Sequence, residues 1–465
     1  MAATPDQPGI VQLVAPYVPV AAAMFLIQLD FFSLTLALPM IAEDFNSTAT
    51  DLQWLLSGYM IALGALLIPS ARSADIVGRR SVLRLGVLLF GVTSLACGLA
   101  PTSSFLIAAR VLQGVGAAMI MPTAIAVVTN STGDAERPRI IGALLGIAGV
   151  GTALGPVVGG LLASSIGWRW VFLVNVPVAA YAFWACRSLP NTRDTSTSRS
   201  LAIVDWWGVV AVVIGLALVS VAIDDVAAEG WLSATTLVPL GTGVAALVGF
   251  AVIESKVARP LVRPNLFRYR VFVVLAVAGT VANIGACVYV VSATLELQDI
   301  RGYSAAQSGL LFFLSSVGLA SCGPLSAKLS TRFPAAVVMG VALLLSAPAL
   351  VWLALAGPIW LYVLALAACG VSTGMGYALG QLAIQNVLPP ARSAEGTSVL
   401  LTMLISIGGI GVVAATAAME AIGGGVATAD AISAVLIGLA GVLLLAGVVT
   451  TVAAGVRAAV GGATA

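Results

Sequence analysis

Charged residues in this chain are almost confined to short gaps, and between the gaps lie apolar runs long enough to cross a bilayer. A hydrocarbon core of about 30 Å needs about 20 residues of helix. Only helices suit a bundle of such runs, because every backbone polar group must be bonded internally where water is absent. Fourteen runs fall near 14–41, 52–71, 81–100, 104–130, 138–163, 168–188, 202–223, 232–253, 271–295, 304–327, 334–356, 358–386, 397–420 and 431–456. Of the 465 residues, 60% are hydrophobic and 9% charged, against about 25% charged in soluble domains. The expected fold is therefore an all-α membrane protein with fourteen transmembrane helices.

Several chemistries are excluded at once. The chain has no histidine, so any proton transfer falls to carboxylates. The lysines Lys256 and Lys328 do not follow glycine, so no phosphate loop of the Gly-Lys-Ser/Thr kind is present. The balance of 21 basic against 19 acidic residues offers no basic face for nucleic acid. The five cysteines stand in apolar stretches without a CxxC pair and read as buried small side chains. No cofactor and no metal is expected, and catalysis is not expected either.

Loop charge orients the spans. With the N-terminus cytoplasmic, only Arg169 and Arg301 fall outside and Arg110 lies within a span, whereas the outer loops carry Glu43, Asp44, Asp224, Asp225, Glu229 and Asp299. Both termini are then cytoplasmic. The N-terminus lacks the basic region and cleavage site of a signal peptide, so the first span is expected to remain as an anchor in the cell (inner) membrane. The stretch Asn191 to Ser200, rich in Ser, Thr and Arg, reads as a linker after the sixth span.

Polar residues inside spans are the candidates for function, since each is costly there. Asp30 lies deep in the first span, and Arg110 about two turns into the fourth, within Arg-x-x-Gln-Gly-x-Gly-Ala-Ala. The fifth span carries Gly142, Gly151, Gly155-Pro156 and Gly159-Gly160. Glycines recurring every four residues give a smooth face for close packing, and Pro156 removes a hydrogen bond. Between the second and third spans, Asp75, Gly78, Arg79 and Arg80 form a tight charged turn, weakly echoed after the tenth span by Ser326 to Phe333. The sixth span opens Trp168-Arg169-Trp170-Val171-Phe172-Leu173-Val174-Asn175-Val176-Pro177, whose aromatics suit an interfacial belt; Asp205-Trp206-Trp207-Gly208 opens the seventh.

Taken together, these motifs resemble the fourteen-helix drug:proton antiporter family of the major facilitator superfamily. The turn resembles its Gly-x-Leu-Ala-Asp-Arg-x-Gly-Arg-Arg motif with Ala71, Ser73 and Ile76 departing. The fifth-span pattern resembles Gly-x8-Gly-x3-Gly-Pro-x2-Gly-Gly, a mark of its antiporters. The resemblance implies an N-terminal six-helix bundle over 1–188, linkers and an inserted helix pair over 189–269, and a C-terminal bundle over 270–465. The inserted pair shows little polarity within its spans and is assigned no transport chemistry.

The resemblance further implies a proton-coupled exporter of hydrophobic or amphipathic compounds such as antibiotics, working by alternating access. Burial disfavours a carboxylate and a guanidinium favours it, so an acid moved between two surroundings exchanges its proton. Asp30 and Arg110 are the expected coupling pair, with Glu296 next. Asp75, Gly78, Arg79 and the fifth-span residues are the expected conformational switch. Gln28, Tyr59, Asn283 and Gln381 are expected to line the substrate path, chosen by their positions along the spans. The expected partners are an amphipathic small molecule, protons and lipid, with a monomer as the expected state. Export of an endogenous lipid or metabolite is the competing reading, and a non-transporting receptor a more distant one. On sequence alone, Asp30→Asn should abolish coupling and leave the fold intact.

Overall fold

The computed structural model describes residues 10–47, 51–133, 136–193, 205–257 and 260–461. Most of the expected 191–200 linker therefore lies outside the described residues. Among these residues there is no strand, and fourteen helices are long and apolar enough to cross a membrane. They are α1 (Ile10–Asp44), α2 (Trp54–Val77), α3 (Arg79–Gly98), α4 (Ser103–Thr129), α5 (Arg139–Ile166), α6 (Arg169–Ser188) and α7 (Trp206–Val226). The second half holds α8 (Ala234–Lys256), α9 (Arg270–Ile300), α10 (Ala305–Ser330), α11 (Ala335–Leu355), α12 (Ile359–Val387), α13 (Glu395–Gly423) and α14 (Ala429–Ala454).

Local chemistry sets the ends of these helices. Thr102, Ser233 and Ser304 cap α4, α8 and α10, each side chain accepting a backbone N–H of the first turn, and Gln307 completes a capping box with Ser304. Two helices depart from the expected runs. The helix α9 continues past residue 295 through one turn of π-helix, Glu296–Ile300. In α6 the α-helix breaks at Val174 between Arg169–Leu173 and Asn175–Ala185, because Pro177 has no N–H to offer the carbonyl of Leu173.

The packing repeats itself. Within the first six helices α1 packs on α5 and α6, α2 on α4, and α3 on α4 and α6; within the last six α9 packs on α13 and α14, α10 on α12, and α11 on α12 and α14. The two groups meet along α5 with α10 and along α2 with α13. The helix α7 lies across the second of these seams, touching both α2 and α13, and α8 packs on α7.

The α5–α10 seam is tight at one end only. A Cβ at Gly160 would strike the carbonyl of Ala305, and one at Gly309 that of Pro156. Farther along, a Cβ at Gly149 would rest 3.5 Å from Ala320, and at Gly142, Gly146 and Gly323 it would meet nothing within 4 Å. At the tight end Gln298 also donates to the Leu36 carbonyl across the groups, at 3.0 Å.

Candidate functional site

Two helices, α4 and α6, supply the donors that converge on the carboxyl of Asp30 in α1. From α4, Arg110 Nη1 donates to Asp30 Oδ2 at 2.6 Å and to Gln113 Oε1 at 2.7 Å. Gln113 lies one turn on, and its Nε2 donates to Asp30 Oδ1 at 3.0 Å and to Ser94 Oγ of α3 at 2.8 Å. From α6, Asn175 Nδ2 donates to Asp30 Oδ1 at 2.7 Å. Arg110 Nε reaches back to the Leu55 carbonyl of α2 at 3.0 Å, and its guanidinium stacks 4.4 Å above the Tyr59 ring.

Asp30, Arg110, Gln113, Asn175 and Ser94 all have 0% exposure. Taking two opposite charges out of water is costly unless their remaining donors and acceptors are satisfied, and Asp30 receives three donated bonds. Satisfaction on the other side is incomplete: Arg110 Nη2, Asn175 Oδ1 and the Tyr59 hydroxyl are buried with no hydrogen-bond partner. The cluster is thus a sealed ion pair with unused polar atoms, an arrangement that a change of charge on Asp30 would leave strongly unbalanced.

The glycines of α5 act on the helix that carries Asp30. A Cβ at Gly151 would lie 2.7 Å from the Phe25 carbonyl, one at Gly155 2.5 Å from Phe32 Cβ, and one at Gly159 would run into the Ser33 backbone. Ser33 Oγ donates to the Gly155 carbonyl at 2.9 Å. Gly160 and Pro156 instead face α10. Gly142, expected with this set, has open space at its Cβ position. The reason is periodicity, because nine residues before Gly151 is about two and a half turns, which points it to the other side of the helix.

The α2–α3 turn is built from Asp75 and Arg79, paired at 2.7 Å. Gly78 has φ +121°, and a Cβ there would lie 2.5 Å from Asn191 Oδ1, so only glycine suits the turn. Arg79 N donates to the Thr192 carbonyl at 2.9 Å and Arg80 Nη1 to the Leu189 carbonyl at 3.0 Å. Arg72 donates instead to the Pro260 and Leu261 carbonyls, beyond α8.

Glu296 is not brought to Asp30. It pairs with Arg301 at 2.9 Å, and Arg301 also donates to the Ala356 and Gly357 carbonyls and stacks on Tyr362, fastening α9 to the α11–α12 connection. The four residues expected along the substrate path are scattered among different partners. Gln28 donates to Thr152 Oγ1 of α5 at 2.9 Å, and Asn283 to the Leu404 carbonyl of α13 at 2.7 Å. Gln381 bonds Tyr377 on its own helix, α12. Tyr59 lies beneath the Arg110 guanidinium, 1% exposed, and so belongs to the ion-pair cluster.

Sequence reasoning passed over Gln113 and Asn175. The signal for Gln113 was its place three residues after Arg110, on the same helix face. Asn175 was hidden by its neighbours, read as an interfacial belt. Trp168 does not fit that reading: it is 4% exposed, donates to Asp44 Oδ2 at 3.1 Å and packs at an angle against Phe45 and edge-on against Phe172.

The family model described as Major Facilitator Superfamily matches residues 20–411 and again 271–461. The puromycin resistance protein pur8 of Streptomyces alboniger is 36% identical over 306 residues, 65% of this chain and 59% of that protein. The methylenomycin A resistance protein of Streptomyces coelicolor (strain ATCC BAA-471 / A3(2) / M145) is 28% identical over 418 residues, 88% of this chain and 86% of that protein. The chain spans about three fifths of the length of the first curated relatives it matches. A POT family transporter solved in complex with a thioalcohol conjugated peptide has the same fold, with a TM-score of 0.70 at 13% identity over 96% of this chain and 99% of that one. The match over residues 20–411 takes in most of the fourteen spans, the second match over 271–461 covers the last six, and the chain belongs to the Major Facilitator Superfamily.

Proposed function

We propose that this chain is a proton-coupled exporter of hydrophobic or amphipathic small molecules that works by alternating access. One observation carries the reading. Asp30, paired in the interior with Arg110 of α4, sits on a helix, α1, whose neighbouring face is held by the α5 glycines, and α5 in turn touches α10. Protonation of Asp30 removes one charge of the pair, and α1 and α5 carry the change to the seam between the two groups of six helices. Those groups, 1–188 and 270–465, are the bodies that rock, with 189–269 inserted between them. The tight end of the α5–α10 seam is the outer end, both termini are cytoplasmic, and the protein works as a monomer in the cell membrane. Asp75, Gly78 and Arg79 keep the α2–α3 turn fastened to the end of α6 as the groups move.

The relatives named for antibiotic resistance support export of a small molecule. Gln28, Asn283 and Gln381 remain the proposed contacts of the substrate. The test uses the purified chain in vesicles with an imposed pH gradient and a monocationic amphipathic dye. Added dye should evoke proton flux in the parent and none in the double variant Asp30→Asn/Arg110→Gln. Equal flux in both would reject Asp30 as the coupling site, and dye movement indifferent to the pH gradient in the parent would reject coupling itself.

A further inference from the structure

Two carboxyls of the inserted pair take no part in this account. Asp205 caps α7 and Glu254 stands near the end of α8, at 9% and 3% exposure. One oxygen of each is used: Asp205 Oδ1 accepts from Gly208 N at 3.0 Å, and Glu254 Oε2 accepts from Val262 N at 2.8 Å, folding the chain after α8 back on the helix. The other oxygen of each, Asp205 Oδ2 and Glu254 Oε1, is buried without a partner.

Both unused oxygens face the same small space, which a glycine keeps open. A Cβ at Gly208 would lie 2.6 Å from Asp205 Oδ2 and 3.0 Å from Glu254 Oε1. The two oxygens are thus within roughly 6 Å of each other, where buried like charges resist double ionisation. The charged groups facing them are few. Arg72 of α2 interacts electrostatically with both acids while donating to the Pro260 and Leu261 carbonyls. Arg263 is drawn to Glu395 of α13 at 3.7 Å, and Lys256, on the same helix as Glu254, is exposed.

We infer that Asp205 and Glu254 form a second proton-binding site, separate from Asp30, at the point where the inserted pair meets both groups of helices. A proton from water binds Glu254 Oε1, and the new O–H donates to Asp205 Oδ2, so that each unused oxygen gains a partner. Loss of that proton leaves two anions beside one guanidinium, draws Arg72 from the Pro260 and Leu261 carbonyls, and loosens the 260–263 segment from α2. The inference does not rest on export, since the proton binds whether or not cargo is present.

Infrared difference spectra of the full chain in lipid vesicles, without cargo, test it. Near pH 7 the parent should show a protonated carboxyl band that survives in Asp30→Asn/Arg110→Gln and is lost in Glu254→Gln. In Asp205→Asn the band should titrate at least about one pH unit lower, because the neighbouring anion that favours the proton is gone. Both variants keep their local bonds, since Gln still accepts from Val262 N and Asn remains a good cap. Hydrogen exchange of peptides over 260–266, corrected for intrinsic rates, should quicken in the parent over the pH range in which the band is lost and be flat over that range in Glu254→Gln. A band untouched by Glu254→Gln, or absent from the parent near pH 7 as a bound cation would make it, would overturn the site; the same exchange profile in both proteins would overturn the loosening.

Discussion

Arg110 is the residue on which the Asp30 cluster depends most. Replacing Asp30 by Asn leaves its guanidinium buried with no counter-charge, a loss of about 3–5 kcal/mol. The single variant is therefore not the neutral change that the sequence suggested, and its melting temperature in detergent should fall clearly below the parent's. Removing both charges in Asp30→Asn/Arg110→Gln should restore most of that stability without restoring coupling; a double variant as unstable as the single one would place the cost elsewhere. Asn175→Ala removes a donor to a charged acceptor, worth about 1.5–3 kcal/mol, and should weaken both stability and coupling. Asp30 and Arg110 stood out in the sequence because a charge within a span is rare. Asn175 and Gln113 did not, since an amide within a span is unremarkable until its partner is known, and theirs lies on α1, in contact only after folding.

Among the elements, α5 divides its small residues between two neighbours. Gly151, Gly155 and Gly159 face α1, and Gly160 faces α10. Gly159→Ala would drive a methyl into the Ser33 backbone, whereas Gly142→Ala meets nothing and gains up to about 1 kcal/mol of helix propensity. Uptake assays should find Gly142→Ala near the parental rate and Gly159→Ala at least tenfold slower at similar expression. Equal rates would strip the α5–α1 contact of any role. The repeat of four residues could be read from the chain, but its direction could not, because glycine spacing names a face and not the helix that comes to fill it. The break in α6 is a similar case: Pro177 foretold a disturbance, and only the packed helices reveal that it falls beside Asn175.

At the scale of the whole molecule, the span count followed from the bilayer's thickness, and the repeated packing followed from neither length nor hydropathy. The position of α7 against both α2 and α13 had no trace in the sequence, because its apolar surface suits protein and lipid alike. Asp30 being walled in by its own group of helices has a consequence for the energy source. In the proposed cycle a proton held there never balances the charge of the cargo, so the current of each cycle would be set by the cargo. One proton exchanged for a neutral compound moves one net charge, and one exchanged for a monocation moves none. Voltage then contributes about 2.3 kcal/mol per 100 mV to the first exchange and nothing to the second. Clamping the potential to zero with a potassium ionophore, at a fixed pH gradient, should slow export of a neutral amphipath and spare that of a monocation of similar size; slowing of the monocation too, by less than that of the neutral compound, would mean that more than one proton crosses per turn.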